Sequence, residues 1–436
     1  MSCVNSRILV ISNDAFNQSS SNGRTLMNLL KNIPSQNLAQ FYIHGNPSKD
    51  FCSAYYCNSD NDALRTFLFK PKLKKAEPKA ESTTEAKTEN RSPDASSGGA
   101  ARVQIERNCR NLLVRDIVWT SYRWWQSDFD EFLDKFSPEV VLLQAGDSPF
   151  MYDLAMKIAK RYRAKIVIFN TEYYVLKKYM YSSVTSFSVW HSLLKSRLCR
   201  RYARIMRKVD FCIYNIDALE DAYQQKYPHP NKSCTLYTTS EMEKIPNRDD
   251  GSFNLLYCGN LGVGRCVPLD EIARALREVD ENAKLDIYGK FKFDEDRELV
   301  CANPNVVYHG YVDYSEIPSI MASSSVLIHC ENDSRVVNLK YAMSTKIADS
   351  LASGRPFLVY ASRQYPFVQY LERNSCAHVA SDYGELCEVL SKCIRDVDYR
   401  YKYTDNAIKI ASENHDLEKN CIKVEKIINR ITSEKK

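Results

Sequence analysis

Two short segments in the second half of the sequence combine residue types that hold anions. The first, YCGNLGVGRC at 257–266, spaces Gly259, Gly262 and Gly264 as G-x-x-G-x-G, with Asn260 inside the turn, and is followed at once by Arg265. Glycines there let backbone amides approach a phosphate closely, and a guanidinium adds fixed charge with bidentate reach. An ordinary Gly-rich turn between strand and helix is the competing reading. The order differs from the dinucleotide fingerprint G-x-G-x-x-G, and no acidic residue follows at the matching position. The second segment, STKIADSLASGRPF at 344–357, puts Ser344 and Thr345 where an N-cap belongs. Free amides at that helix start form an anion site beside Lys346. Asp349, one turn further in, is placed to accept hydrogen bonds from ribose hydroxyls. A solvated Lys and a solvated Asp are the plain alternatives.

These segments need rigid junctions to hold them, and the apolar pattern supplies candidates. In the first half, apolar runs at 7–12, 41–43, 140–143, 166–169 and 211–214 alternate with helix-like stretches such as 25–30 and 151–162. A second series follows, with strands expected at 253–258, 285–288, 306–308, 326–330, 357–360 and 377–380. Helices fit between them at 269–279, 314–322, 344–353, 366–372 and 383–394. Such alternation predicts parallel sheets covered on both faces. A length of 436 residues fits two domains of this class. The predicted division is 1–245, 252–412, and a final helix over 413–436. That helix has Leu417, Cys421, Val424, Ile428 and Ile431 on one stripe, which crosses back to the first domain. The polar, turn-rich segment 241–252 marks the boundary. The stretch 71–101 lacks aromatic and β-branched apolar side chains apart from threonine and reads as a flexible insertion within the first domain.

Composition excludes several classes. Sixty basic against 54 acidic residues leave a net charge of +6, too small an excess to indicate nucleic acid. Fifteen cysteines show no CxxC pair and no zinc spacing, so reduced thiols in a cytoplasm and no metal centre are expected. No apolar run reaches the ~20 residues a bilayer span requires, and the start of the sequence does not read as a signal peptide. HSLLKSRLCRRYARIMRKVD at 191–210 sets Leu194, Leu198, Tyr202, Ile205 and Val209 on one helical face and most of its arginines elsewhere. Such a helix suits peripheral contact with an anionic membrane surface; a packed domain helix with a solvated basic face is the alternative. Trp124 and Trp125 border a cleft or, more simply, fill the core.

The segments YCGNLGVGR, VLIHCEN and KYAMSTKIADSLASGRPF, with ILVISNDAFNQSSSNGRTLMNLL near the start and IVIFNTEYY at 166–174, resemble family-4-type retaining glycosyltransferases of the GT-B fold, in a bacterial branch acting on surface polysaccharide. The resemblance implies two Rossmann-like doubly wound α/β domains facing across a cleft. It also implies a nucleotide-diphosphate-sugar donor in the second domain, a glycan or lipid-linked acceptor at the first, and no cofactor. By the same resemblance, Arg265 and Lys346 match the basic pair on the donor diphosphate, and Asp349 matches the second Glu of a Glu-x7-Glu pattern. Tyr341 stands where the first Glu belongs, so Glu331 is the nearest acidic candidate. Gly23 resembles a glycine lying against donor phosphate and acceptor, with Arg24 beside it on the acceptor side. Where many relatives carry a His after 166–169, this chain has Asn170, Thr171 and Glu172. Glu172 and Asp147 are the expected cleft-facing acids; helix capping is their other reading. A nucleotide-sugar-binding protein without turnover is the alternative function, supported by the missing Glu. A nicotinamide oxidoreductase is disfavoured by the glycine order.

Overall fold

The computed structural model describes residues 4–18, 20–69, 108–177, 189–230, 232–246, 253–262, 264–333, 340–341 and 343–433. The expected insertion at 71–101 and the end of the boundary segment, 247–252, lie outside the described residues.

The alternating apolar runs fold into two all-parallel sheets. The first contains β1 (Ile8–Ile11), β2 (Leu38–Tyr42), β3 (Ala54–Cys57), β4 (Val140–Gln144), β5 (Lys165–Asn170), β6 (Phe211–Tyr214) and β7 (Ser233–Thr235), in the spatial order β3-β2-β1-β4-β5-β6-β7. The second contains β8 (Asn254–Cys258), β9 (Lys284–Tyr288), β10 (Val306–Gly310), β11 (Val326–Cys330), β12 (Phe357–Tyr360) and β13 (His378–Ala380), in the order β10-β9-β8-β11-β12-β13. Central strands such as β1, β4 and β11 are buried along their whole length, which is why they read as apolar runs, with Gln144 ending β4 and His329 within β11 as the polar exceptions. The edge strands β3 and β7 were not expected, because their residues are only half-buried and their sequences carry no such run. Strand β2 begins three residues earlier than its apolar core suggested. Its polar Gln40 is fully buried but satisfied, accepting from the Phe16 amide at 2.9 Å and donating to Ser12 Oγ at 2.8 Å.

The helix predicted from residue 25 starts at Ser21, because the Ser20 hydroxyl accepts from the Gly23 amide at 3.0 Å and caps it. Trp124 is core, ringed by Trp119, Phe129 and Phe41. The basic helix, Val189–Met206, buries Leu194, Leu198, Tyr202 and Ile205 as its pattern predicts. Its basic face is not simply solvated. Arg197 and Arg201 both hold the fully buried carboxylate of Asp116, and Arg201 and Arg204 also pair with Asp153. A charge buried in this way needs such partners, so Arg197 and Arg201 are committed to the domain's own interior, while Arg204 stays largely exposed.

The chain crosses between the two sheets twice, and the crossings lie side by side. Ser240 pairs with Asp416 in a parallel bridge, and the Ser240 amide donates to the His415 carbonyl at 2.9 Å. The His415 ring sits between the Thr238 carbonyl at 2.6 Å and the Tyr370 hydroxyl at 3.0 Å. Burial lowers its pKa to about 4, which keeps it neutral. After the second crossing the helix Leu417–Ser433 returns to the first sheet. There Val424, Ile427, Ile428 and Ile431 join Leu26, Leu30, Val10, Leu142, Val167 and Phe169 in one core. Truncating Ile428, which is fully buried, to Ala is expected to cost about 2–4 kcal/mol in urea denaturation. An unchanged midpoint would mean that this helix does not dock.

Candidate active site

Both anion-holding segments sit at the C-terminal ends of strands in the second sheet. The Gly-rich turn follows β8, while the helix Thr345–Ala352 lies between the neighbouring strands β11 and β12. Ligands in open α/β sheets bind at such carboxyl ends. The turn is stiffened from within. Asn260 Oδ1 accepts from the Gly262 amide at 2.8 Å, the Tyr257 hydroxyl donates to the Asn260 carbonyl at 2.8 Å, and Asn332 Nδ2 reaches the Gly264 carbonyl at 2.9 Å. A β-carbon at Gly259 would lie 2.9 Å from both Lys346 Nζ and the Tyr257 hydroxyl, so a side chain there would displace the ammonium. Gly289, which no pattern singled out, packs closer still: a β-carbon there would meet the Gly259 carbonyl oxygen at 2.0 Å.

Arg265 precedes the helix Cys266–Val279, and its guanidinium turns back over the loop. It donates to the Asn260 carbonyl at 3.1 Å and grips Glu331 through two nitrogens, the Nε contact being 3.2 Å. Burial pushes the Glu331 carboxyl up, but His329, 3.3 Å away, and the Arg265 guanidinium outweigh it and hold the pKa at about 2. Glu331 is therefore a fixed anion bonded to Arg265, at a place where a proton donor or acceptor would need a pKa nearer neutrality. Its role in this geometry is to position Arg265.

Ser344 caps the helix Thr345–Ala352, its hydroxyl accepting from the Lys346 amide at 3.4 Å. Among the described residues the Lys346 ammonium makes no hydrogen bond or ion pair. Burial, then the nearby guanidinium groups of Arg265 and Arg24, lower its pKa to about 8. Asp349 is 4% exposed and accepts from Ser240 Oγ at 2.6 Å and from the Tyr314 hydroxyl at 3.0 Å. Burial raises its pKa. Ser240 and Tyr314 were invisible as partners in the sequence, since they lie 109 and 35 residues away on other elements.

The first domain meets this site at two loops. Arg24, from the helix Ser21–Leu30, stacks its guanidinium 4.3 Å from the Tyr314 ring centre and reaches Thr345 Oγ1 at 3.4 Å. It thus faces the helix Thr345–Ala352 of the second domain, whereas the sequence reading set it on the acceptor side. After β5, Tyr173 packs its ring against Tyr341 at 5.1 Å. Beside the Arg24–Tyr314 contact a cavity of about 300 Å³ is lined by Arg24, Asn28, Thr239, Glu241, Thr345 and Asp349, among others. Gly23 is buried, and the space beside it is taken by its own loop, with Ala15 O and Ser20 Oγ within 2.7 Å of where a β-carbon would be. Packing of that loop accounts for the glycine. Asp147 follows β4 and is 5% exposed; it accepts from Ser148 Oγ at 3.1 Å. Glu172 pairs with Lys177 at 2.8 Å. Arg115, which the sequence did not mark, ties this floor together by donating to Asp60 at 2.7 Å and to Ser148 at 2.5 Å. Among the described residues no cluster of His, Cys, Asp or Glu is arranged to hold a metal ion, and no helix is long and apolar enough to cross a membrane.

Comparison with known proteins identifies the fold. Residues 269–426 match a family model described as glycosyl transferase-like, so the second half carries a domain of that kind. Over 99% of its length the chain superposes on the whole of a sucrose-phosphate synthase from Thermosynechococcus elongatus, with a TM-score of 0.64 at 10% identity. HepE from Anabaena, solved in complex with UDP and glucose, matches at 0.60 and 12% identity, covering 98% of this chain and 100% of that one. WaaG, a glycosyltransferase involved in lipopolysaccharide biosynthesis, matches at 0.56 and 16% identity, covering 97% and 99%. No curated protein matches the chain. The fold is therefore GT-B, two Rossmann-like domains facing across a cleft.

The unpaired ammonium of Lys346 gives a two-sided prediction. Its folded pKa lies below the ordinary 10.5, so between about pH 8 and 10.5 the unfolded chain binds the extra proton and stability rises with pH. In Lys346→Met that rise is lost and the ligand-free protein is more stable at pH 7, by on the order of 1–2 kcal/mol after allowing for partial exposure. Chemical denaturation at pH 7 and pH 9.5 measures both effects. A variant less stable than wild type would show that the ammonium has a partner in the free protein.

Proposed function

We propose that the protein is a retaining, metal-independent hexosyltransferase that moves a sugar from a nucleotide-diphosphate-sugar to a glycan or lipid-linked acceptor in surface-polysaccharide assembly. The observation that carries this reading is the ammonium of Lys346, which among the described residues makes no hydrogen bond or ion pair, beside Arg265 and the capped start of the helix Thr345–Ala352. Keeping a cation there costs stability in the free protein, and an anion such as a diphosphate relieves that cost. The family match to 269–426 and the UDP-glucose found with HepE support a nucleotide-sugar as that ligand, and the lipopolysaccharide role of WaaG supports the acceptor class.

In this reading the bond from the sugar's anomeric carbon to the β-phosphate oxygen breaks, and its electron pair stays on the diphosphate. Arg265, Lys346 and the amides at Ser344–Lys346 stabilise the charge that develops. The acceptor oxygen forms the new bond on the same face, and its proton passes to a phosphate oxygen of the leaving group. No step needs Glu331 as an acid. Asp349, with Tyr314 and Ser240, holds the ribose hydroxyls, while Asp147 and Glu172 border the acceptor. The protein works in the cytoplasm, at the inner face of the plasma membrane. The arginines of the helix Val189–Met206 are mostly committed internally, so contact with lipid falls to its exposed start, Val189, Trp190 and Leu193.

The expected result is that one of UDP-, GDP- or dTDP-glucose stabilises the protein against thermal unfolding and releases nucleoside diphosphate on incubation. Lys346→Met and Arg265→Ala should each lower that release at least about 100-fold. Donor affinity should also weaken as pH rises through about 8, where the Lys346 ammonium loses its proton. Binding without any turnover would instead favour a nucleotide-sugar-binding protein.

A further inference from the structure

The helix Ser21–Leu30 of the first domain and the helix Thr345–Ala352 of the second both open on the same cleft, and neither carries an acidic residue in its first turn. Each instead carries a cation there, Arg24 on one and Lys346 on the other. A cation at the positive end of a helix is the unfavourable arrangement, and here it occurs on both walls. Arg24 has five N–H donors, yet among the described residues it makes one hydrogen bond, at 3.4 Å to Thr345 Oγ1, and no ion pair. Its remaining contact is the face of Tyr314. The two charges also oppose each other, since Arg24 is among the groups that depress Lys346.

We infer that Arg24 is a third cation for the donor diphosphate, delivered from the first domain, so that the leaving group is held from both walls of the cleft. This inference rests on the diphosphate site proposed above. Thr345 Oγ1, which Arg24 already reaches, belongs to the residue directly before Lys346 at the amide-bearing helix start. A phosphate seated on those amides therefore lies within range of both side chains. The stack on Tyr314 is the resting place of the guanidinium. Turning from it towards a phosphate gives the guanidinium an anion to bond directly, where among the described residues it makes no ion pair. Arg24 then binds the group on which negative charge accumulates as the sugar departs. The N-terminal domain contributes to departure of the leaving group as well as to the acceptor, and a bound donor draws the two walls together.

The test measures UDP and inorganic pyrophosphate binding by calorimetry on the full chain, for wild type, Arg24→Ala, Arg24→Lys and Lys346→Met. Arg24→Ala should weaken both ligands about 10–100-fold, with Arg24→Lys recovering most of the loss. Removing a cation from a helix start should leave the melting temperature of the free protein unchanged or higher. If Arg24→Ala does not fold, Arg24→Gln, which keeps the side-chain length, carries the same expectation. A purely structural or acceptor-binding Arg24 predicts UDP and pyrophosphate affinities equal to wild type in Arg24→Ala. That result, with Lys346→Met still weakened, overturns this inference alone. Affinities unchanged in Lys346→Met as well, or no binding by wild type, overturn the diphosphate site itself.

Discussion

The buried ion pair between Arg265 and Glu331 is the constraint around which the cleft is arranged. A guanidinium this deeply placed needs a carboxylate, and Glu331, at the end of β11, supplies it while the Asn260 carbonyl takes a further donor. The pair fixes the Gly-rich turn against the neighbouring strand end, and that in turn sets where Lys346 can lie, over a residue with no side chain. It also engages the Glu331 carboxylate, which therefore forms no ion pair with the lysine. The result is a pair of cations of which one is locked in place and the other, among the described residues, makes no ion pair, an arrangement that suits the proposed diphosphate. Stability and function pull in opposite directions at this point.

The division of roles among acidic residues follows from the same geometry. Asp349 is buried among hydroxyl donors, Glu331 is bonded to an arginine, and Glu172 is paired with a lysine. Each of the three is engaged by partners within the protein rather than free to act as a base. This fits chemistry in which charge stabilisation, supplied by fixed cations and helix-end amides, does most of the catalytic work.

Much of the fold was legible because buried parallel strands advertise themselves. Val326–Ile328 and Phe357–Tyr360 are apolar runs, and the stripe from Leu417 to Ile431 could only be the buried face of a helix. The edges β3 and β7 were not legible, since half-buried strands share the composition of loops. Within the site, Arg265, Ser344 and Lys346 could be read from local spacing, because their chemistry depends on the backbone next to them. Tyr314, Ser240, Arg115 and Gly289 could not, because each acts through a partner brought close only by tertiary folding. Arg24 was placed on the acceptor side, since no pattern records which way a long side chain leans across a cleft. The pairing of Arg197 and Arg201 with Asp116 was hidden for the same reason: helical periodicity reports which face is apolar, not what the polar faces meet.

The return of the last helix to the first sheet has a bearing on how the chain is made. Val10, Leu142, Val167, Phe169 and Ile213 form part of a surface that only the helix Leu417–Ser433 completes. During synthesis the N-terminal domain emerges first, yet this face stays open until the C-terminus leaves the ribosome, an interval on the order of 10–40 s at ordinary elongation rates. The nascent chain must pass through a stage in which an apolar sheet face waits for its cover. Premature termination anywhere in the second domain leaves not a sound first domain but one with an adhesive side, a natural client for chaperones and proteases.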